Sequence, residues 1–219
     1  MTFRILVLCG FASVLSSCGL SSLEQMAIDH YKEKYDTPEL QHAMMIDDAL
    51  KLQRHIKDDR TKTGGAKLDE VTGSAKFTGY ALINVDAGAS GIDKQLLGDA
   101  VINVNFDGVR TLTGTVSDFV QVDFAEGVDT LDGNVTLIST DIEGTNPFFT
   151  IDYDLDLSNA TDTFQSVGTV ESMFKGNPFY GVDDPKFIDN VAESTIVNSG
   201  EHNGETVTFN VGIFASSNW

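Results

Sequence analysis

From Phe77 onward, apolar and polar residues alternate, and turn signals separate the apolar runs. Phe77, Gly79, Ala81, Ile83 and Val85 fall on one parity, and Ala100, Ile102, Val104 and Phe106 repeat it. Asp107-Gly108 then supplies a hairpin turn into Leu112–Val120, and Val135 and Leu137 follow. Ile151, Tyr153, Leu155 and Leu157 alternate with Asp152, Asp154 and Asp156. Phe164–Phe174 is a sixth run and Val191–Val197 a seventh, and Asn203-Gly204 turns the chain into Val207, Phe209, Val211 and Ile213. A period of two with one apolar and one polar face predicts antiparallel strands. Eight strands is the number at which a closed sheet fills its own interior with side chains. The pattern therefore predicts an all-β fold, an eight-stranded antiparallel up-and-down β-barrel over residues 71–219.

Ahead of the barrel the period changes. Ser21 or Ser22 can cap a helix with Leu23, Met26, Ala27 and His30 or Tyr31 on one stripe. Thr37-Pro38 is an N-cap followed by proline at the first helical position, and Leu40, Ala43, Met44 and Leu50 continue a helix to about Asp59. Thr61-Lys62-Thr63-Gly64-Gly65 breaks this pattern as a linker. Residues 18–70 thus read as a helical extension and linker: a stalk, a partner-binding helix pair, or a layer packed on the barrel.

The first residues carry an address. Arg4 precedes an unbroken run from Ile5 to Leu15 dominated by apolar residues, and the chain leaves it through Ser16-Ser17-Cys18. A charged start, an apolar stretch of this length and a small-residue exit are the grammar of an export signal. The stretch is too short for a bilayer core, which needs about 20 residues. Leu15-Ser16-Ser17-Cys18 resembles the bacterial lipobox. That resemblance implies a signal peptide over residues 1–17, with Cys18 becoming the first mature residue and carrying diacylglycerol and palmitate-like acyl chains. Two or more chains anchor firmly, at about 0.8 kcal/mol per buried CH₂. Gly19 follows the cysteine, where an Asp would retain some lipoproteins in the inner membrane, so the expected location is the outer membrane. The membrane partner is reached through Cys18.

Charge narrows the partners further. Residues 19–76 hold 9 basic and 11 acidic side chains, whereas residues 77–219 hold 4 basic (Lys94, Arg110, Lys175, Lys186) and 22 acidic. Such a surface repels phosphate backbones, so no nucleic-acid partner is expected. Of the two cysteines, Cys9 leaves with the signal and Cys18 takes the lipid, so no disulfide remains to be made.

Phe77-Thr78-Gly79-Tyr80-Ala81, then Gly98-Asp99-Ala100 leading into Val104-Asn105-Phe106, then Leu112-Thr113-Gly114-Thr115-Val116-Ser117-Asp118-Phe119, resemble the first strands of the transferrin-binding-protein-B-like β-barrel lipoproteins. Phe174-Lys175-Gly176-Asn177-Pro178-Phe179-Tyr180-Gly181 is similar to the segment before that family's last hairpin. The likeness spans about residues 75–215. It implies a surface binding protein that recognises an iron- or haem-related ligand, or a host protein, through its loops.

Catalytic and metal patterns are weak by comparison. Asp152, Asp154 and Asp156 share a strand face but lack the turn and glycine that would converge their oxygens on calcium, so a solvated outer face is expected. His30, His42, His55 and His202 lack zinc-helix spacing, and no metal or other cofactor is expected. Gly88-Ala89-Ser90-Gly91 is not a nucleophile elbow and reads as a hairpin tip. No enzymatic constellation emerges. The better lead is aromatic: Phe148 and Phe149, Phe179 and Tyr180, and Trp219 are candidate partner contacts at turns. The competing expectation is that these rings pack at the barrel mouth, the commoner fate of aromatics. The function this sequence predicts is a lipid-anchored, non-enzymatic binding protein of the cell envelope. A lipocalin-like carrier of a small hydrophobic ligand and a structural envelope protein are the alternatives.

Overall fold

The structure, a computed structural model, describes residues 37–58, 68–86, 88, 93–123, 127–176, 185–190 and 197–217. Cys18, Phe179, Tyr180, Trp219 and the expected helix near residues 21–35 lie outside these. Helix α1, Pro38–Asp58, begins where the sequence places it. Thr37 caps it: its carbonyl accepts from the Leu40 and Gln41 amides at 3.0 Å, and its hydroxyl lies 3.4 Å from the Leu40 amide. Pro38, which has no N–H to lose, occupies the first turn.

The strands are β1 (Ser74–Asp86), β2 (Lys94–Asn105), β3 (Thr111–Asp123), β4 (Gly127–Ser139), β5 (Phe148–Ser158), β6 (Thr163–Gly176), β7 (Pro185–Asn190), β8 (Asn198–His202) and β9 (Glu205–Ser216). Each pairs antiparallel with its neighbours, and β9 returns to β1 from Thr78↔Ser216 to Asp86↔Thr208, closing an eight-position barrel. Among the described residues, nine strands fill eight positions because β7 and β8 share one: both pair with β6 on one side and β9 on the other. The expected run Val191–Val197 therefore divides differently. Strands flank it as β7 and β8, and most of it lies outside the described residues. At the seam the walls approach so closely that a Cβ on Gly79 would lie 2.1 Å from the Phe214 carbonyl oxygen.

Among the described residues, thirty-one buried apolar side chains fill the interior, including Phe77, Phe119, Tyr153, Phe164, Phe174 and Phe209, each at most 2 % exposed. A bulge adjusts their phase. Asp118 takes a positive φ of 54°, the β3–β4 register shifts between Val116 and Phe119, and inward parity passes from Leu112 and Val116 to Phe119 and Gln121. Outward positions on β4 and β5 carry exposed Asp132, Asp152, Asp154 and Asp156. An apolar inside and a carboxylate-bearing outside are the reverse of a barrel that spans lipid. Among the described residues, no helix is long and apolar enough to cross a membrane.

Elsewhere the outer wall is apolar, and α1 covers it. Ala49, Leu52 and Ile56 of the helix are buried against Tyr80, Leu97, Phe187 and Phe214, with Met45, Ile46 and Leu82 partly buried beside them. Of the three roles open to this segment from sequence, α1 packs on the barrel.

Candidate functional site

The strand order gives the barrel two unlike mouths. One lies where the β1–β2, β3–β4, β5–β6 and β8–β9 turns reverse the chain. The other holds the β2–β3, β4–β5 and β6–β7 connections together with both ends of the barrel.

The first mouth is plugged by charge. Lys94 opens β2 on the same inward parity as Leu96 and Ala100, and its Nζ lies 2.6 Å from Asp123 Oδ2 and 3.2 Å from Asp162 Oδ2. Asp162 also accepts from Gln121 Nε2 at 2.8 Å and meets His202 Nε2 at 2.6 Å. Asn159 turns the chain into this aspartate, its side-chain Oδ1 accepting from the Thr161 and Asp162 amides at 2.9 and 2.7 Å. Burial alone would raise the Asp162 carboxyl, but hydrogen bonds from Gln121, His202 and Lys94 outweigh it and hold Asp162 well below the usual carboxylate range. For Lys94 the balance also favours charge: burial opposes the ammonium, while Asp123 and Asp162 raise its pKa. The His202 ring stacks on Phe164 at 4.7 Å. Apart from the buried Gln121 Oε1, which has no hydrogen-bond partner among the described residues, this network is satisfied internally, and its chemistry is that of a structural stopper.

The second mouth is plugged by rings. Phe174 is the hub, with Phe149 stacked at 4.5 Å, Phe106 at 5.7 Å and Phe77 at 6.2 Å. Leu68 and Ile142 complete the plug, and Arg110 braces it by donating to the Leu68 carbonyl and to Asp69, each at 3.3 Å. Beside this plug, the β4–β5 connection and the ends of β5 and β6 border a shallow, open cleft of about 320 Å³. Asp141, Glu143, Asn146, Phe148, Thr150 and Glu171 line it, over the edge of Phe149. Asp141 is committed to the loop, accepting from the Ser139 hydroxyl at 2.7 Å and the Thr150 amide at 3.1 Å. The Glu143 and Glu171 carboxylates form no ion pair with other described residues.

The candidate contacts separate accordingly. Phe149 is 4 % exposed and belongs to the plug, whereas neighbouring Phe148 is half-buried and lines the cleft. Phe179, Tyr180 and Trp219 lie outside the described residues. The strand ends that flank them, Gly176 paired with Pro185 and the last residues of β9, finish at this same mouth. His42, His55 and His202 do not converge, and among the described residues no group of three or more His, Cys, Asp or Glu is placed to hold a metal ion. Burial lowers the His42 pKa. The Lys94–Asp162 pair was missed in the sequence, although a lysine at an inward position in so acidic a stretch was the available signal.

No family model matches the chain, and neither a curated protein nor a solved structure matches it.

Proposed function

We propose that this chain is a lipid-anchored binding protein of the cell envelope, non-enzymatic, tethered to the outer membrane through Cys18. It recognises a protein partner, or a ligand that partner carries, with the ring-plugged mouth. The observation that carries this reading is the filled interior. Side chains with almost no exposed surface occupy the lumen from one mouth to the other, so recognition falls to the outside. The cleft at the ring-plugged mouth offers a half-buried aromatic face beside two carboxylates without ion pairs among the described residues, in keeping with a partner surface that is part apolar and part basic. The lipobox-like Leu15–Cys18 supports the anchor, and the strand motifs that resemble the transferrin-binding-protein-B-like lipoproteins support iron- or haem-related or host-protein recognition as the task. The packed lumen counts against a lipocalin-like carrier.

The test is capture from native medium by the lipidated protein, comparing the natural chain with Phe148→Ala and Glu171→Gln. A specific protein retained by the first and lost from both variants supports the reading. Retention unaffected by either variant, or recovery of a small lipid from the lumen, overturns it.

A further inference from the structure

Two separate apolar clusters hold this protein together, and α1 belongs only to the smaller. The interior cluster is continuous around the barrel, while the helix contributes Ala49, Leu52 and Ile56 to a distinct patch on the outer wall. The sheet closes on itself without the helix, since every ladder runs from strand to strand. The helix lies across the wall rather than along it, touching β4, β3, β2, β1 and β9. Its far end reaches β7, where the His55 ring meets Phe187 edge-on at 5.3 Å. Because the strands follow one another in that order around the barrel, the N-terminal half of α1 lies over β3 and β4. That half contributes the partly buried Met45 and Ile46, and the fully buried positions begin at Ala49. Asp48 of the helix pairs with Lys51 Nζ at 3.0 Å, and its charge also reaches the wall. The Asp99 carboxyl on the wall is held above its ordinary range by desolvation and then by the negative charges of Asp118 and of Asp48 on the helix.

An element with its own small contact set and no share in the sheet opens locally before the rest unfolds. We propose that α1 is a latch that leaves the barrel wall as a unit while the barrel stays closed, and that its release lengthens the tether between Cys18 and the barrel. With α1 docked, the tether ends at residue 37. With α1 free, it extends to Leu68, which the ring plug still holds, and gains a 21-residue helix about 30 Å long. The same movement uncovers Tyr80, Leu82, Leu97, Phe187 and Phe214. The latch stands on the contacts alone, while the lengthened tether rests on the lipid-anchor reading.

Hydrogen exchange on the full-length lipidated chain tests the latch. Amides of α1 should exchange at least about a hundredfold faster than those of β5 and β6, and Leu52→Ala should speed α1 by at least about tenfold while leaving β5 and β6 unchanged. Those strands are the internal control for folding. Exchange of helix and strands together, or equal acceleration of both by Leu52→Ala, overturns the latch. Energy transfer from a dye on Asp132→Cys to labelled lipid in phosphatidylethanolamine–phosphatidylglycerol vesicles tests the tether. Weaker transfer with Leu52→Ala supports a longer tether, and unchanged transfer overturns it. Protein that fails to bind the vesicles at all overturns the anchor and the tether together, while the exchange result still decides the latch.

Discussion

The side-chain amide of Asn198 stands in for a strand partner of Thr169. Its Oδ1 accepts from the Thr169 amide at 3.0 Å and its Nδ2 donates to the Thr169 carbonyl at 3.0 Å, across a stretch of β6 that β8 reaches with no backbone pair. Gly168 makes room for it, since a Cβ there would lie 2.2 Å from Asn198 Oδ1 and 2.8 Å from the Tyr153 hydroxyl. Asn198→Ala should cost about 2 kcal/mol, because it strands a peptide N–H and C=O at once. Gly168→Ala should cost a similar amount by expelling the same amide. The two losses should not add in the double variant, which urea unfolding of all three proteins will show.

Acid should act through Asp162. Its folded pKa is depressed, so its contribution is fully present above the unfolded aspartate value of about 3.9 and is lost as pH falls towards the folded value. Asp162→Asn should destabilise the protein by about 2 kcal/mol at neutral pH, since Lys94 then keeps only Asp123. The difference between variant and natural protein should shrink steadily below pH 4. A difference that stays constant across the acid range would refute this role.

Neighbouring phenylalanines at the second mouth should separate stability from recognition. Phe174→Ala removes the hub of the ring plug and should cost about 3–5 kcal/mol. Phe148→Ala, at a half-buried position on the cleft, should cost no more than about 1 kcal/mol, and its effect should fall on partner capture. Thermal unfolding paired with the capture assay reads both.

Cys18→Ala should leave an uncleaved or soluble protein, detected by fractionating cells and sequencing the mature N-terminus. Normal membrane retention of that variant would remove the lipid anchor from the account.

Much of the barrel was legible because burial follows parity. Ile151, Tyr153, Leu155 and Leu157 point inward and their aspartate neighbours outward, as alternation alone dictates. The Asn203-Gly204 hairpin was legible for a backbone reason: both residues take positive φ, 53° and 80°, which few other pairs tolerate. Strand β7 was not legible, because Pro185-Lys186-Phe187-Ile188-Asp189-Asn190 is short, begins with proline and holds only two large apolar residues. The register change at Asp118 was hidden for a related reason, since a bulge reverses parity without leaving a sequence mark. Of the candidate site, Phe148 was visible as an aromatic near a turn. Its difference from Phe149 was not, because the stack on Phe174 joins residues far apart in the chain. The Lys94–Asp162 contact spans 68 positions and depends wholly on barrel closure.

Because one end of the lumen is stoppered by ions and the other by phenylalanines, the molecule has a grain. Protons loosen the Lys94 end more than the Phe174 end, where the ring stack carries no charge. Cooling, which weakens apolar association, works in the opposite sense. Fraying should therefore start from opposite rims under the two stresses, a directionality that a uniformly greasy cylinder could not have.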